Sequence, residues 1–132
     1  MINKIISKAN ARVCLFGDHQ DYLNLPIIAT TINRNIEVSA KNNHSRCLKI
    51  FKKDLGEYDQ INIDSDIDKN ETDLLKIALR VLKDYSCFPD KGYDIIISSN
   101  IPINSGLSSS SALIVAWVNF LLTTFTLSLI HI

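Results

Sequence analysis

From Ala112 to Ile130 the chain carries no charged side chain. An uncharged run of that length has two physical solutions, a helix buried in a core or a span across a bilayer. Asn119, Thr123, Thr124, Thr126 and Ser128 interrupt the run with polar groups. No Lys or Arg flanks it to set a membrane orientation. The core helix is the favoured expectation, and a membrane anchor is the alternative.

A buried helix needs a sheet or another helix to cover it, and the rest of the chain supplies candidates. Tyr93 to Ser98 contains Ile95-Ile96-Ile97, a strongly β-prone run. Ile36, Val38 and Ala40 alternate with Asn35, Glu37 and Ser39, the pattern of a half-buried strand. Lys41 to Arg46 reads as a polar turn, and Cys47 to Phe51 as the returning strand of a hairpin. Ile2 to Ile6 and Arg12 to Phe16 read as two short strands. The second is continuously apolar from Val13 to Phe16, which predicts a central position. Lys52 to Lys69 is charged and reads as loop, with a short strand around Ile61 and Ile63. Thr72 can cap a helix over Asp73 to Tyr85, with Leu74, Leu75, Ala78, Val81, Leu82 and Tyr85 on one face. Strands, a helix, a strand and a helix make an α+β domain.

Bulk properties exclude several classes. Fourteen basic and fourteen acidic residues cancel, so no global charge draws the chain to nucleic acid or an anionic membrane. Cys14, Cys47 and Cys87 are widely spaced, with no CxxC pair. Reduced thiols in a cytoplasmic protein fit this better than a zinc site. No signal peptide is evident near Lys4 and Lys8. The 132 residues make one domain or a piece of one.

Between the Ile95–Ile97 run and the uncharged helix lies Pro102-Ile103-Asn104-Ser105-Gly106-Leu107-Ser108-Ser109-Ser110-Ser111-Ala112. Gly106 permits a backbone turn that a side chain would block. Such a turn can aim successive N–H groups into one concavity, and the helix start adds its unpaired N–H groups and positive dipole end. The hydroxyls of Ser108 to Ser111 can donate to phosphate oxygens, or one can ligate Mg²⁺. There is no lysine, so this is not a Walker A loop. A plain serine-rich connector with one serine as N-cap is the competing reading. A nucleophilic serine lacks the GxSxG frame.

The loop resembles the phosphate-binding loop of the GHMP kinase superfamily, Pro-x-x-x-Gly-Leu-(Gly/Ser)-Ser-Ser-(Ala/Ser)-Ala. Pro102, Gly106, Leu107, Ser109, Ser110 and Ala112 match in order. The resemblance implies the N-terminal domain of a GHMP kinase, ribosomal protein S5 domain 2-like in fold. It implies ATP phosphates on Pro102, Ser105, Gly106, Leu107, Ser108, Ser109, Ser110 and Ser111, and Mg²⁺ at Ser110.

Arg12-Val13-Cys14-Leu15-Phe16-Gly17-Asp18-His19-Gln20-Asp21-Tyr22 forms a second constellation. It sets an arginine at a strand start and two carboxylates with an imidazole past its end. Carboxylates accept hydrogen bonds from sugar hydroxyls, and an arginine can neutralise charge on a transferring phosphoryl group. A solvated turn is the competing reading, and His19 with two carboxylates is too few ligands for a convincing metal site. The segment resembles the N-terminal signature of galactokinases, approximately Arg-Val-Asn-Leu-(Ile/Phe)-Gly-Glu-His-Thr-Asp-Tyr. That resemblance implies sugar binding by Asp18, His19, Asp21 and Tyr22 and a catalytic role for Arg12. Asp18 stands where Glu is usual, Gln20 replaces Thr, and Asn10-Ala11 replaces Pro-Gly, which leaves the sugar open.

The expected protein is thus an ATP- and Mg²⁺-dependent sugar kinase, without nucleic-acid or membrane partners. A mevalonate-like kinase, a non-catalytic sugar-binding regulator on the same fold and a short membrane-anchored protein are the alternatives. The resemblance spans only the first part of such an enzyme and ends inside the helix after the loop. The catalytic aspartate and C-terminal domain implied by the family have no counterpart in these residues. Inactivity and aggregation are therefore expected of the 132 residues alone.

Overall fold

The alternation at Ile36, Val38 and Ala40 does what its period predicts: all three side chains are buried on one face of a strand. The computed structural model describes residues 4–17, 19–102, 107 and 109–130, with the backbone alone for residues 21 and 127–130. Five strands form one sheet: β1 (Ile5–Phe16), β2 (Ile28–Asn42), β3 (Cys47–Lys52), β4 (Glu57–Asn62) and β5 (Tyr93–Ser99). Their order is β1-β2-β5-β3-β4. All neighbours are antiparallel except β3 and β5, which run parallel. Helices α1 (Leu74–Asp84) and α2 (Ser109–Ile130) cover one face.

The core lies between that face and the helices. Val38, Leu48, Ile50, Ile95, Leu79, Trp117, Phe120 and Leu121 are almost wholly shielded from water. Among the described side chains of α2 the buried ones are Ala112, Ala116, Trp117, Phe120, Leu121 and Thr124, a stripe at helical spacing. The uncharged run is therefore a core helix on one side, although it is long and apolar enough to cross a membrane. Polar groups lock it in place. Ser7 donates from Oγ to the Ala116 carbonyl (2.8 Å) and accepts from Asn119 Nδ2 (3.1 Å). Trp117 donates from Nε1 to the Leu75 carbonyl of α1 (3.1 Å). Buried polar atoms paired in this way avoid the cost of lost hydration.

Several sequence expectations change. The two N-terminal strands are one, continuous over Ile5–Phe16. It is an edge strand, and Leu15 and Phe16 are exposed (54% and 69%) rather than central. The expected hairpin of residues 36–51 does not close on itself, because β5 inserts between β2 and β3. The helix cap is Asp73, whose carboxylate accepts from Leu75 N at 2.8 Å, in place of Thr72. The buried stripe of α1 is Leu75, Ala78 and Leu79, with Leu82 partly covered; Leu74, Val81 and Tyr85 are exposed.

Among the described residues no helix covers the other face of the sheet. The pairing registers align Ile6, Ser39, Ile96, Phe51 and Tyr58 in a row across it. A concavity of about 880 Å³ opens there, and no described residue of either motif lines it.

Candidate functional site

β1 and β2 run on beyond the other strands as a two-stranded arm. Only Ile36 to Asn42 of β2 pairs with β5, whereas Arg12 to Phe16 pairs with Ile28 to Thr31. The register slips where the arm leaves the sheet. Asn10 faces Asn35, but Arg12 faces Thr31, so three residues of β2 oppose the single Ala11. A bulge of this kind bends the pair and re-aims the side chains after it. Ala11 is fully buried beneath it. Arg12, the first residue past the slip, is exposed.

Gly17 ends β1 with φ +85°, a conformation L side chains rarely adopt. A Cβ there would also meet the Pro26 carbonyl oxygen at 2.9 Å. Both facts account for glycine at this point of the second motif. The chain turns at once: Gln20 N–H donates to the Gly17 carbonyl (2.9 Å), and Asp21–Leu23 forms a single 3₁₀ turn. His19 and Tyr22 are exposed on this turn, Tyr22 by 70%. Asp18 lies outside the described residues, and Asp21 is described by its backbone alone.

The first motif sits beside the root of the arm. β5 ends at Ser99, and residues 103–106 and 108 lie outside the described set, Ser105, Gly106 and Ser108 among them. Pro102 is exposed and Leu107 half-buried against the core. Ser109, Ser110 and Ser111 form the exposed first turn of α2. The first four N–H groups of a helix have no partner within it. With the positive end of the helix dipole they favour an anion there, and no acidic residue in that turn opposes one.

The two motifs meet through the backbone. Arg12 N–H donates to the Leu107 carbonyl at 3.3 Å. This bond ties the strand that presents Arg12 to the exit of the serine-rich loop. The entry is held as well. Ser99 N–H donates to Asp54 Oδ2 (2.6 Å), Ile101 N–H donates to Ser99 Oγ (3.0 Å), and Asn100 exchanges two hydrogen bonds with Asn35. Sequence reasoning missed Asn35, Asp54 and Asn100. Asp54 and Asn100 lie just past strand ends, where a polar residue has no local sign of its partner, and Asn35 lies inside β2, where the alternation reports only its polar side.

The donors present at the start of α2 suit the phosphates of a magnesium nucleotide. Exposed serine hydroxyls at a helix N-terminus can serve phosphate oxygens and one metal position. Among the described residues no group of three or more His, Cys, Asp or Glu could hold a metal ion. Mg²⁺ commonly keeps several waters and takes phosphate oxygens as ligands, so such a cluster is not required.

Comparison with known proteins gives the family. The family model for the GHMP kinases N terminal domain matches residues 73–131. A galactokinase of Haemophilus influenzae (strain PittGG) is 33% identical over 111 residues, which cover 82% of this chain and 29% of that protein. A mevalonate kinase of Thermococcus gammatolerans is 30% identical over 125 residues, covering 87% and 37%. Among solved structures, a mevalonate kinase superposes with TM-score 0.78 at 25% identity, over 92% of this chain and 40% of that one. The chain thus spans about a third of the length of the curated relatives it matches. In sequence and in fold, the chain belongs with the GHMP kinases and carries the characteristic N-terminal domain of that superfamily.

Proposed function

We propose that this chain supplies the nucleotide-phosphate loop and part of the acceptor site of an ATP-dependent small-molecule kinase acting on galactose or a related sugar. The observation that carries the reading is the Arg12–Leu107 backbone bond, because it sets the sugar-kinase motif against the phosphate motif. Phosphoryl transfer is mostly a matter of positioning and charge stabilisation, so two motifs must share one small volume.

In this reading the backbone N–H groups of the loop and of the α2 start hold the ATP phosphates. The donors are Ser105, Gly106, Leu107, Ser108, Ser109, Ser110 and Ser111, with Pro102, which has no N–H, fixing the loop entry and Ser110 also offering its hydroxyl to Mg²⁺. The metal, when bound, offsets phosphate charge. Asp18, His19, Asp21 and Tyr22 hold the sugar on the turn after Gly17. Arg12 reaches the transferring group. The sugar oxygen forms a bond to the γ-phosphorus as the bond to the ADP oxygen breaks. The hydroxyl proton passes to a carboxylate base expected in the remainder of a complete enzyme.

A mevalonate-type acceptor is the second reading. It is favoured by the 30% identity to a mevalonate kinase and by the 0.78 superposition. The His19-Gln20-Asp21-Tyr22 group ranks the sugar first. A coupled ADP-release assay on an active form carrying this sequence separates the two. Turnover with galactose and not with mevalonate is the expected result. Turnover with mevalonate alone selects the second reading, and no ATP consumption with any acceptor rejects both.

A further inference from the structure

The antiparallel ladder between β2 and β5 pairs Ile36 with Ser99 as its last register pair. The next rung would join Asn35 to Asn100. Half of it is present in ordinary form, with Asn100 N–H donating to the Asn35 carbonyl at 3.2 Å. The other half is altered. Asn35 N–H donates at 2.7 Å to the side-chain Oδ1 of Asn100, where a ladder would use the main-chain carbonyl. The side chain thus takes the place of the backbone. The main chain is released from the sheet at this residue, yet Asn35 keeps its acceptor.

Asn35 is also the residue at which the arm bends. It faces Asn10 in the last pair before the slip that brings Arg12 opposite Thr31. One strand position therefore holds the root of the serine-rich loop on one side and the bend before Arg12 on the other. The exit of the loop closes the circuit through Leu107 and Arg12.

From this circuit we infer that Asn100 is a positioning residue, whose side-chain carbonyl sets where the phosphate loop leaves the sheet relative to Arg12. The inference rests on the kinase reading above and adds to it a residue outside the motifs. Asn100 is exposed, so its side chain is not needed to fill the core. A shorter side chain removes the acceptor and frees the loop entry. An aspartate keeps an oxygen at the same place.

The test uses an active form carrying this sequence, its Asn100→Ala and Asn100→Asp variants, and two probes: the magnesium complex of a non-hydrolysable ATP analogue, and adenosine. Affinities are read by calorimetry and folding by thermal denaturation. The expectation is a loss of about tenfold in analogue affinity for Asn100→Ala. Adenosine affinity should stay the same, and Asn100→Asp should lie within about threefold of the parent. Equal analogue affinity in the parent and Asn100→Ala overturns the positioning role alone. Equal losses for analogue and adenosine, or for the Ala and Asp variants, also overturn it, since they point to general unfolding or to charge. A parent chain that binds neither probe rejects the kinase reading, and the role falls with it.

Discussion

The two halves of the sheet are built to different standards. Around β2, β3 and β5, side chains meet α1 and α2 with almost no water between: Leu48, Leu79, Trp117 and Phe120 are each 0% exposed. In the arm, Leu15, Phe16, Tyr22, Leu23, Leu25 and Ile28 are apolar or aromatic, and all are exposed. The arm carries the candidate acceptor residues; the sheet and helices carry none of them. The difference teaches that order in the arm comes from its backbone: the ladder with β2, the glycine turn and the bond to Leu107. The helix-backed half is ordered by burial.

The sharpest way to break that comparison is to truncate one side chain from each half. Trp117→Ala removes a fully buried indole and its bond to Leu75, and should cost about 3–5 kcal/mol in urea unfolding. Phe16→Ala, at a side chain 69% exposed, should change stability by less than about 0.5 kcal/mol. Equal losses would mean the arm has a core of its own. Function should divide the other way. In an active form carrying this sequence, Arg12→Ala should lower turnover by about 10²–10³-fold with little change in ATP affinity. Unchanged turnover would remove Arg12 from the reaction. Asp21→Ala should weaken the apparent sugar affinity by roughly ten- to a hundredfold, as for a lost charge-assisted hydrogen bond. A normal sugar affinity would detach the turn from the acceptor.

The smallest effect belongs to the exposed Arg46–Asp64 pair, at 2.6 Å. The hydrogen bond from Arg46 holds the Asp64 carboxyl below the usual carboxylate range. Its folded pKa is lowered, so the contribution is present above about pH 4 and is lost as pH falls below that. Asp64→Asn should therefore leave melting slightly less dependent on acid between pH 5 and about pH 2, with water screening keeping the change small. A large change would mean that this surface pair orders the loops beside it.

Much of the helix-backed half was legible in the sequence because its signals are periodic and local. The Ile36–Val38–Ala40 alternation reports its buried face, the Ile95–Ile97 run its strand, and the uncharged helix its place in the core. What was illegible is non-local. Nothing near residues 41–51 says that β5 will enter between β2 and β3 and undo a hairpin. The apolar run Val13–Phe16 suggests a central strand because periodicity cannot tell a buried face from an exposed arm. Thr72 and Asp73 are both good caps, and only geometry chose between them. For the site, the motifs named residue types, but the contact between Arg12 and Leu107 exists only in three dimensions. Nothing in the sequence singles out Asn100, whose partner Asn35 lies 65 residues away.

The strand order has a consequence for how the chain reaches this structure. β1 with β2 and β3 with β4 are local hairpins, and each can form as soon as its own residues are available. No hydrogen bond of the sheet joins the two hairpins until β5 lies between them. Synthesis or refolding therefore has a late step with a large loop-closure cost, and every species before it leaves the inner edges of β2 and β3 open. The segment that completes the sheet runs straight into the serine-rich loop. A lesion in β5 should therefore slow folding of the whole sheet.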